Sequence, residues 1–368
     1  MRNILLLIDY AAPYRGNFIP SILNLASHCE REGMRTIFIF PEVAREIPWV
    51  IEFQKERGAV FFIDRSFFSK KVKYSNIKKV KDIIRKEKIG IIHTHFLAYN
   101  YSLVILKLFF TGRVRFIANY MNELVLPRNI YFRFKIMVTR LTFDLYIASS
   151  KGVKKSLINA GITERRIVTV YNSLDPVHLD IYESLELRQN IEEKIILMFG
   201  WTFFRKGVDI AIRAIKELVE DGNNLRLVIA MAGGQEIIEN EINKLEGTIP
   251  SWITLKGPVQ NVATYYNSAD IFLSSSREEG FTYSVLEAAY CNPLLIMSRI
   301  EGHPLDIPFS GSFISENITE LKSSILKVLG INPTEKKRIK QLQREYVIST
   351  FDINRWSQAI LNEYSKLV

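Results

Sequence analysis

Two doubly wound α/β domains in tandem are the architecture this sequence predicts. Three observations predict it. Short apolar runs alternate with amphipathic segments along most of the chain, the pattern of a parallel sheet covered by helices. The alternation stops over a charged, strandless stretch from Pro176 to Glu193 and then restarts. The length of 368 residues exceeds what one compact core holds and suits two.

In the first half the apolar runs predict strands at Asn3–Ile8, Arg35–Phe40, Val60–Ile63, Ile89–His93, Arg115–Ala118, Leu145–Ala148 and Ile167–Val170. Helices are expected between them, among others at Ile19–Glu32, Asn76–Glu87 and Lys151–Ala160. The second half predicts strands at Lys194–Phe199, Arg226–Ala230, Ile253–Lys256, Ile271–Ser274 and Leu294–Met297. Its expected helices include Val208–Glu220, Gln235–Glu246, Val262–Ser268 and Tyr283–Cys291. A last helix over 352–368 carries Ile353, Trp356, Ile360 and Tyr364 on one face, at helical spacing. The expected division is a domain of residues 1–175 joined by the 352–368 helix, and a domain of 176–351. Ligands of such sheets bind beyond the carboxyl ends of the strands. Two such domains facing across a cleft place the chemistry in the loops that follow strands.

Composition narrows the class. Hydrophobic residues are 48% and charged residues 24%, ordinary for a globular protein. No apolar run reaches the roughly 18 residues of a membrane-spanning helix. The greasiest stretch, Ile89 to Phe110, is broken by His93, His95, Asn100 and Lys107. Ile4 to Ile8 is too short for a signal peptide and reads as the first buried strand. Cys29 and Cys291 are the only cysteines, so neither a disulfide framework nor a zinc site is expected, and a cytoplasmic setting is.

The net charge of +10 is unevenly spread. Residues 1–180 hold 29 Lys and Arg against 15 Asp and Glu, whereas 181–368 hold 20 against 24. Lys70, Lys71, Lys73, Lys78, Lys79, Lys81, Arg85, Lys86 and Lys88 concentrate the excess, with Arg113, Arg115, Arg128, Arg133, Lys135 and Arg140 adding to it. Phe67, Phe68, Phe109, Phe110, Tyr131, Phe132 and Phe134 are interleaved with them. A solvated helix face is one reading. An anionic membrane surface, which such mixtures of basic and aromatic residues suit, is the other, and implies a peripheral position at its inner face. No nucleic-acid motif accompanies the charge, so nucleic acid is not an expected partner.

The most informative segment is Ser274-Ser-Ser-Arg-Glu-Glu-Gly-Phe-Thr-Tyr-Ser-Val-Leu-Glu287. It leaves a strand and enters a helix. Free N–H groups at the helix start, around Phe281, Thr282 and Tyr283, attract a diphosphate. Gly280 lets backbone approach it. Glu279, ahead of the helix, is placed to accept hydrogen bonds from sugar hydroxyls. Glu287, on the helix proper, is placed to hold ribose hydroxyls, as acids do in such folds.

The stretch from Glu279 to Pro293 resembles the E-x-x-x-x-x-x-x-E signature of glycosyltransferase family 4, the retaining GT-B enzymes. Other segments resemble that family in the same order. Phe199-Gly-Trp-Thr-Phe-Phe-Arg-Lys-Gly-Val-Asp209 is similar to its phosphate loop, and Val170-Tyr-Asn-Ser-Leu-Asp175 to its domain junction. Asp144 to Ser150 is similar to the strand entering its last N-domain helix. Gly257-Pro-Val259 with Tyr265 and Ala269-Asp270 is similar to its base-side loop and next strand. The resemblance covers most of residues 1–300. It implies a GT-B fold of two Rossmann-like domains, the first taking the acceptor and the second a nucleotide-diphosphate sugar. It also implies retention of anomeric configuration with neither metal nor cofactor. No Asp-x-Asp occurs in the sequence. Without a cation, the leaving diphosphate needs fixed positive groups, and Lys206 and Arg205 are the candidates beside Glu279. Gly200, Trp201, Gly257 and Val259 complete the expected donor site.

The sequence departs from the family's pattern in two places. Trp201 follows Gly200 where the family usually has Arg, leaving Arg205 to supply the second charge. The loop after the 115–118 strand reads Asn119-Tyr-Met-Asn-Glu123 and lacks the family's common His. Asn119 or Met121 occupies that position, with Asn119, Asn122 or Glu123 as possible substitutes. His93 and His95 share one face at a strand end. No further ligands accompany them, so a metal is not expected, and a polar cleft role for His95 or a core histidine is. The resemblance implies that Gly16, in the loop after the first strand, faces donor phosphates or acceptor; a simple strand-to-helix turn is the other reading.

The leading expectation is a hexosyl or N-acetylhexosaminyl transferase using a UDP-sugar and a saccharide or lipid-linked acceptor in surface polysaccharide assembly. A catalytically degenerate nucleotide-binding GT-B partner protein and a GT-B sugar-nucleotide epimerase are the alternatives. A phosphorylase would need a lysine-bound pyridoxal site, of which the sequence gives no sign.

Overall fold

The computed structural model describes residues 3–13, 15–68, 72–96, 101–124, 130–182, 187, 189–190, 192–259, 261–291, 293–308 and 310–367, the side chains of 130–135 excepted. Lys70, Lys71, Asn100, Arg128 and Asn292, parts of the 176–193 stretch and the side chains of Tyr131, Phe132, Arg133, Phe134 and Lys135 lie outside the described residues. The chain divides into two compact units, one of residues 1–173 with 353–368, the other of 174–352.

In the first unit the order is β1 (Asn3–Ile8), α1 (Phe18–Arg31), β2 (Thr36–Pro41), α2 (Pro48–Arg57), β3 (Val60–Ile63), α3 (Tyr74–Lys86), β4 (Ile89–His95), α4 (Tyr101–Phe109), β5 (Arg115–Tyr120), α5 (Ile130–Thr142), β6 (Leu145–Ala148), α6 (Lys151–Asn159) and β7 (Ile167–Thr169). The strands form one parallel sheet in the order β3-β2-β1-β4-β5-β6-β7. Every residue of β4 is buried, as expected of a strand covered on both faces. β4 runs two residues beyond the predicted His93. His95 pairs there with Ile8 of β1 on one side and Asn119 of β5 on the other.

The second unit follows as β8 (Lys194–Phe199), α7 (Val208–Glu220), β9 (Leu225–Ala230), α8 (Gln235–Glu246), β10 (Ile253–Lys256), α9 (Val262–Ser268), β11 (Ile271–Ser274), α10 (Tyr283–Tyr290), β12 (Leu294–Ser298), β13 (Gly311–Phe313), α11 (Ile318–Leu329) and α12 (Pro333–Thr350). Its sheet is also parallel, in the order β10-β9-β8-β11-β12-β13. The sequence pattern leaves β13, α11 and α12 unassigned. α13 (Ile353–Leu367) returns to the first unit and buries Trp356, Ile360, Leu361 and Tyr364 among residues of α1 and β1. Ser357 donates to Asn24 of α1 at 2.7 Å.

In each sheet the strand order reverses direction beside the first strand of the unit, between β1 and β4 and between β8 and β11. Chain leaving those carboxyl ends diverges and opens a crevice, the place where doubly wound sheets bind ligands. Among the described residues, no helix is long and apolar enough to cross a membrane.

Candidate active site

At the β8/β11 switch point two loops interlock. The first, 200–207, leaves β8. Gly200 is packed so closely that a Cβ would lie 2.5 Å from Ile229 Cγ2. Gly207 has φ +64°, and a Cβ there would lie 2.1 Å from the Ser275 carbonyl oxygen, so only glycine fits. The second loop, 275–282, leaves β11. Ser275 Oγ hydrogen-bonds the carbonyls of Lys206 and Gly207 at 3.1 and 2.9 Å. Arg277 ties the loops together. Its guanidinium donates to both Asp209 oxygens at 2.8 Å and to the Phe204 carbonyl, and lies 3.8 Å over the Phe204 ring. Burial would raise the Asp209 carboxyl, but the Arg277 hydrogen bonds and charge outweigh it and hold it below its usual range.

This framework brings Lys206, Arg205 and Glu279 together. Lys206 Nζ donates to Glu279 Oε1 at 2.5 Å, and both side chains are nearly enclosed. Arg205 Nη1 lies 3.6 Å from Glu279 Oε2 and is half exposed. Ser276 Oγ also donates to Glu279 Oε1, at 2.9 Å. Burial, with Arg205 adding to it, lowers the Lys206 pKa against the opposing pull of Glu279. The ring of Trp201 stands 4.5 Å beneath the Lys206 ammonium and is partly exposed. An aromatic face thus occupies the position where the resembling family usually has an arginine.

Gly280 and Thr282 are buried, Phe281 and Tyr283 partly so, ahead of α10. Among the described residues, no side chain caps that helix start. Thr282 Oγ1 turns instead to the Gly302 carbonyl at 3.3 Å. The uncapped N–H groups keep the partial positive charge that attracts a phosphate. Glu287, further along α10, is buried and accepts from Tyr266 at 2.7 Å. His178 Nε2 lies 3.7 Å from its other oxygen. Gly257 packs under Met231, and Val259 N–H donates to the Met231 carbonyl at 3.0 Å, at the end of β10. Glu278 is exposed, and Cys291 is buried packing.

Several of these residues carry no sequence signal. The loop after β12 supports Glu279 from behind. A Cβ on Gly302 would lie 1.9 Å from the Glu279 carbonyl oxygen. His303, fully buried, bonds the Ser298 carbonyl through Nδ1 at 2.7 Å and Ser274 Oγ through Nε2 at 2.9 Å. Burial lowers its pKa to about 4, so it is neutral at pH 7. Arg277 sits inside the motif, yet its partner Asp209 is 68 residues away.

The first unit gathers Gly16, His95 and Asn119 at the β1/β4/β5 edge. Gly16 has φ +64° and packs against Tyr10. The ring of Tyr10 touches Phe18 and Phe96, and Phe18 touches His95. Asn119 Nδ2 lies 3.1 Å from His95 Nδ1. His95 does not open to solvent: it is fully buried, and burial drives its pKa down to about 3. His93, beside it, is held by the Tyr364 hydroxyl at 2.6 Å. Asn122 is exposed in the turn after β5. Among the described residues no group of three or more His, Cys, Asp or Glu side chains is arranged to hold a metal ion.

Residues 193–330 match the family model described as Glycosyl transferases group 1, and residues 21–178 the one described as Glycosyltransferase Family 4. The chain belongs to the GT4-type glycosyltransferases. A glycosyltransferase from Rickettsia africae ESF-5 shares the fold over 100% of this chain and 98% of its own, with a TM-score of 0.78 and 20% identity. Anabaena Alr3699/HepE in complex with UDP superposes with a TM-score of 0.72 at 16% identity, over 99% and 100% of the two chains. One subunit of the phosphatidylinositol N-acetylglucosaminyltransferase of Arabidopsis thaliana is 22% identical over 71% of this chain. That match spans 59% of the relative's length. The GT-B architecture of this glycosyltransferase family is therefore present throughout the chain.

Proposed function

We propose that the protein transfers a hexosyl or N-acetylhexosaminyl group from a UDP-sugar to a lipid-linked saccharide, with retention and without a metal ion. The observation that carries this is the meeting of Lys206, Arg205 and Glu279 beside the uncapped start of α10 at the β8/β11 switch point. In this reading Lys206, Arg205 and the N–H groups of Phe281 to Ser284 hold the diphosphate and meet the charge that grows on it as the glycosidic bond breaks. Glu279 accepts from donor-sugar hydroxyls, and Glu287 from the ribose. The acceptor oxygen attacks the face the diphosphate leaves, and a diphosphate oxygen takes its proton. Gly16, Asn119 and Asn122 of the first unit serve the acceptor, and His95, itself enclosed, braces Asn119 at 3.1 Å. UDP as the carrier is supported by the UDP and UDP-glucose complexes of the Anabaena protein. Transfer of an N-acetylhexosamine to a lipid is supported by the name of the Arabidopsis relative.

The membrane partner rests on α3 and α4. Lys78, Lys79, Arg85 and Lys86 are exposed on α3, Leu108 and Phe109 are exposed on α4, and Lys81 stands 4.5 Å over the Phe109 ring. Basic residues around projecting apolar ones suit an anionic lipid surface.

Incubation with radiolabelled UDP-sugars and membrane extract tests the activity. Transfer that disappears in Glu279→Gln is expected. Absence of transfer from every common donor would remove the proposal. A second reading, a nucleotide-binding partner protein without turnover, is favoured by Trp201 standing in place of an arginine. Turnover by the purified protein excludes it.

A further inference from the structure

Residues 175–181 show an unexpected attachment. The sequence marks Asp175 only as the end of a domain-junction segment and the rest as the start of a charged, strandless stretch. In the structure they are fastened onto the second unit from three helices. Asn261, at the start of α9, donates to the Ile181 carbonyl at 2.9 Å. Tyr290 of α10 and Arg344 of α12 both reach Asp180, at 2.9 and 3.1 Å. Leu179 is buried among residues of β8, α9 and α10. The short turn Val177–Leu179 is thereby fixed, and His178 projects from it to within 3.7 Å of Glu287 Oε1, while Tyr266 donates to Oε2 at 2.7 Å.

We propose that His178 is a positioning residue for Glu287, facing one carboxylate oxygen as an ion-pair partner while Tyr266 hydrogen-bonds the other, so that the carboxylate is oriented for the ribose of the nucleotide. This rests on the reading that Glu287 takes the nucleoside. A glutamate side chain has three rotatable bonds, and ordering it in advance removes an entropic cost of binding. The Tyr266 hydrogen bond on one oxygen and the His178 ring facing the other do that. His178 is about two-fifths exposed, so its protonation follows the medium.

The groups facing His178 fix the sign. Burial works against its charge, but Glu287 and Asp175 outweigh burial and raise its pKa. Tyr266 and Tyr283, both pushed upward by burial and by Glu287, stay neutral. Asp180 and Arg344, further out, pair with each other. Protonated His178 is the form that grips Glu287. Nucleotide affinity is therefore greatest below the raised pKa and falls as pH rises through it.

The test is titration of UDP and 2′-deoxy-UDP into the full chain between pH 6 and 9, for wild type, His178→Ala, His178→Gln and Glu287→Gln. His178→Ala is expected to weaken UDP about fivefold at pH 6 and to narrow the preference over 2′-deoxy-UDP. His178→Gln, which keeps a donor, is expected to recover part of the affinity without pH dependence, and it subtracts the titration of UDP itself. If Glu287→Gln binds both nucleotides as wild type does, the nucleoside role of Glu287 fails and positioning fails with it. If Glu287→Gln loses the preference while both His178 variants keep the wild-type affinity and pH profile, positioning alone fails. UDP affinity that rises with pH in wild type and not in His178→Gln would make His178 a competitor for Glu287 and overturn the proposal.

Discussion

Lys206 and Glu279 neutralise one another across 2.5 Å in a nearly enclosed space at the end of β8 and β11. A buried pair of this kind is costly to break from one side, because the partner left behind keeps its charge without compensation. Lys206→Met is therefore expected to lower kcat/KM by about 10²- to 10³-fold, the loss typical of one transition-state donor. Glu279→Gln should lower it similarly. The double variant should lose less than the product of the two, since each single change already strands the other group. Steady-state kinetics on the three proteins, with thermal melts alongside, check this. Strict additivity would mean that the two residues act separately.

Glu279 is also shaped from behind. Its carbonyl occupies the space a side chain on residue 302 would need. Gly302→Ala is expected to cost about 1–3 kcal/mol of stability, as overpacking does, and to reduce turnover by displacing the Glu279 loop. Denaturant unfolding and kcat measure the two effects. An alanine variant of unchanged stability and rate would show that the loop yields freely.

Much of this was legible in the sequence, and the reasons differ by element. Apolar runs bounded by polar turns give the strands to within a residue or two, because a strand buried on both faces leaves no choice of composition. Glu279 and Glu287 are legible because they share one contiguous segment, and Lys206 because its own loop, 199–209, is another. Gly302 and His303 are not, because what requires them is a backbone oxygen and a serine brought close only by folding. His178 is hidden likewise, in a stretch without periodicity. The helices α11 and α12 do carry start signals, Asn317 with Glu320 and Asn332 with Pro333 and Glu335. The charged surface of α12 masks its apolar stripe, whereas α11 carries a plain one in Leu321, Ile325 and Val328.

Acid should weaken the fold through its buried histidines. His303 and His95 are neutral, with pKa values lowered by burial to about 4 and about 3, against 6.5 when exposed. Between those values and 6.5 the unfolded chain binds protons that the folded chain refuses. Stability is therefore full above pH 6.5 and falls as pH drops toward 4, at up to about 1.4 kcal/mol per pH unit for each histidine. Urea unfolding from pH 7.5 to 4.5 reads the slope. His303→Asn should shallow it, whereas an unchanged slope would place the acid sensitivity elsewhere.

In the proposed reaction fixed protein charge, with no cation, grips a nucleoside diphosphate at Lys206 and the start of α10. Calorimetric titration of UDP in excess EDTA, into wild type and Lys206→Met, tests it most directly. Wild type is expected to bind equally well with EDTA or with magnesium, and Lys206→Met at least about tenfold more weakly, a difference of about 1.4 kcal/mol. Binding that EDTA abolishes, or that the lysine variant keeps in full, would contradict it.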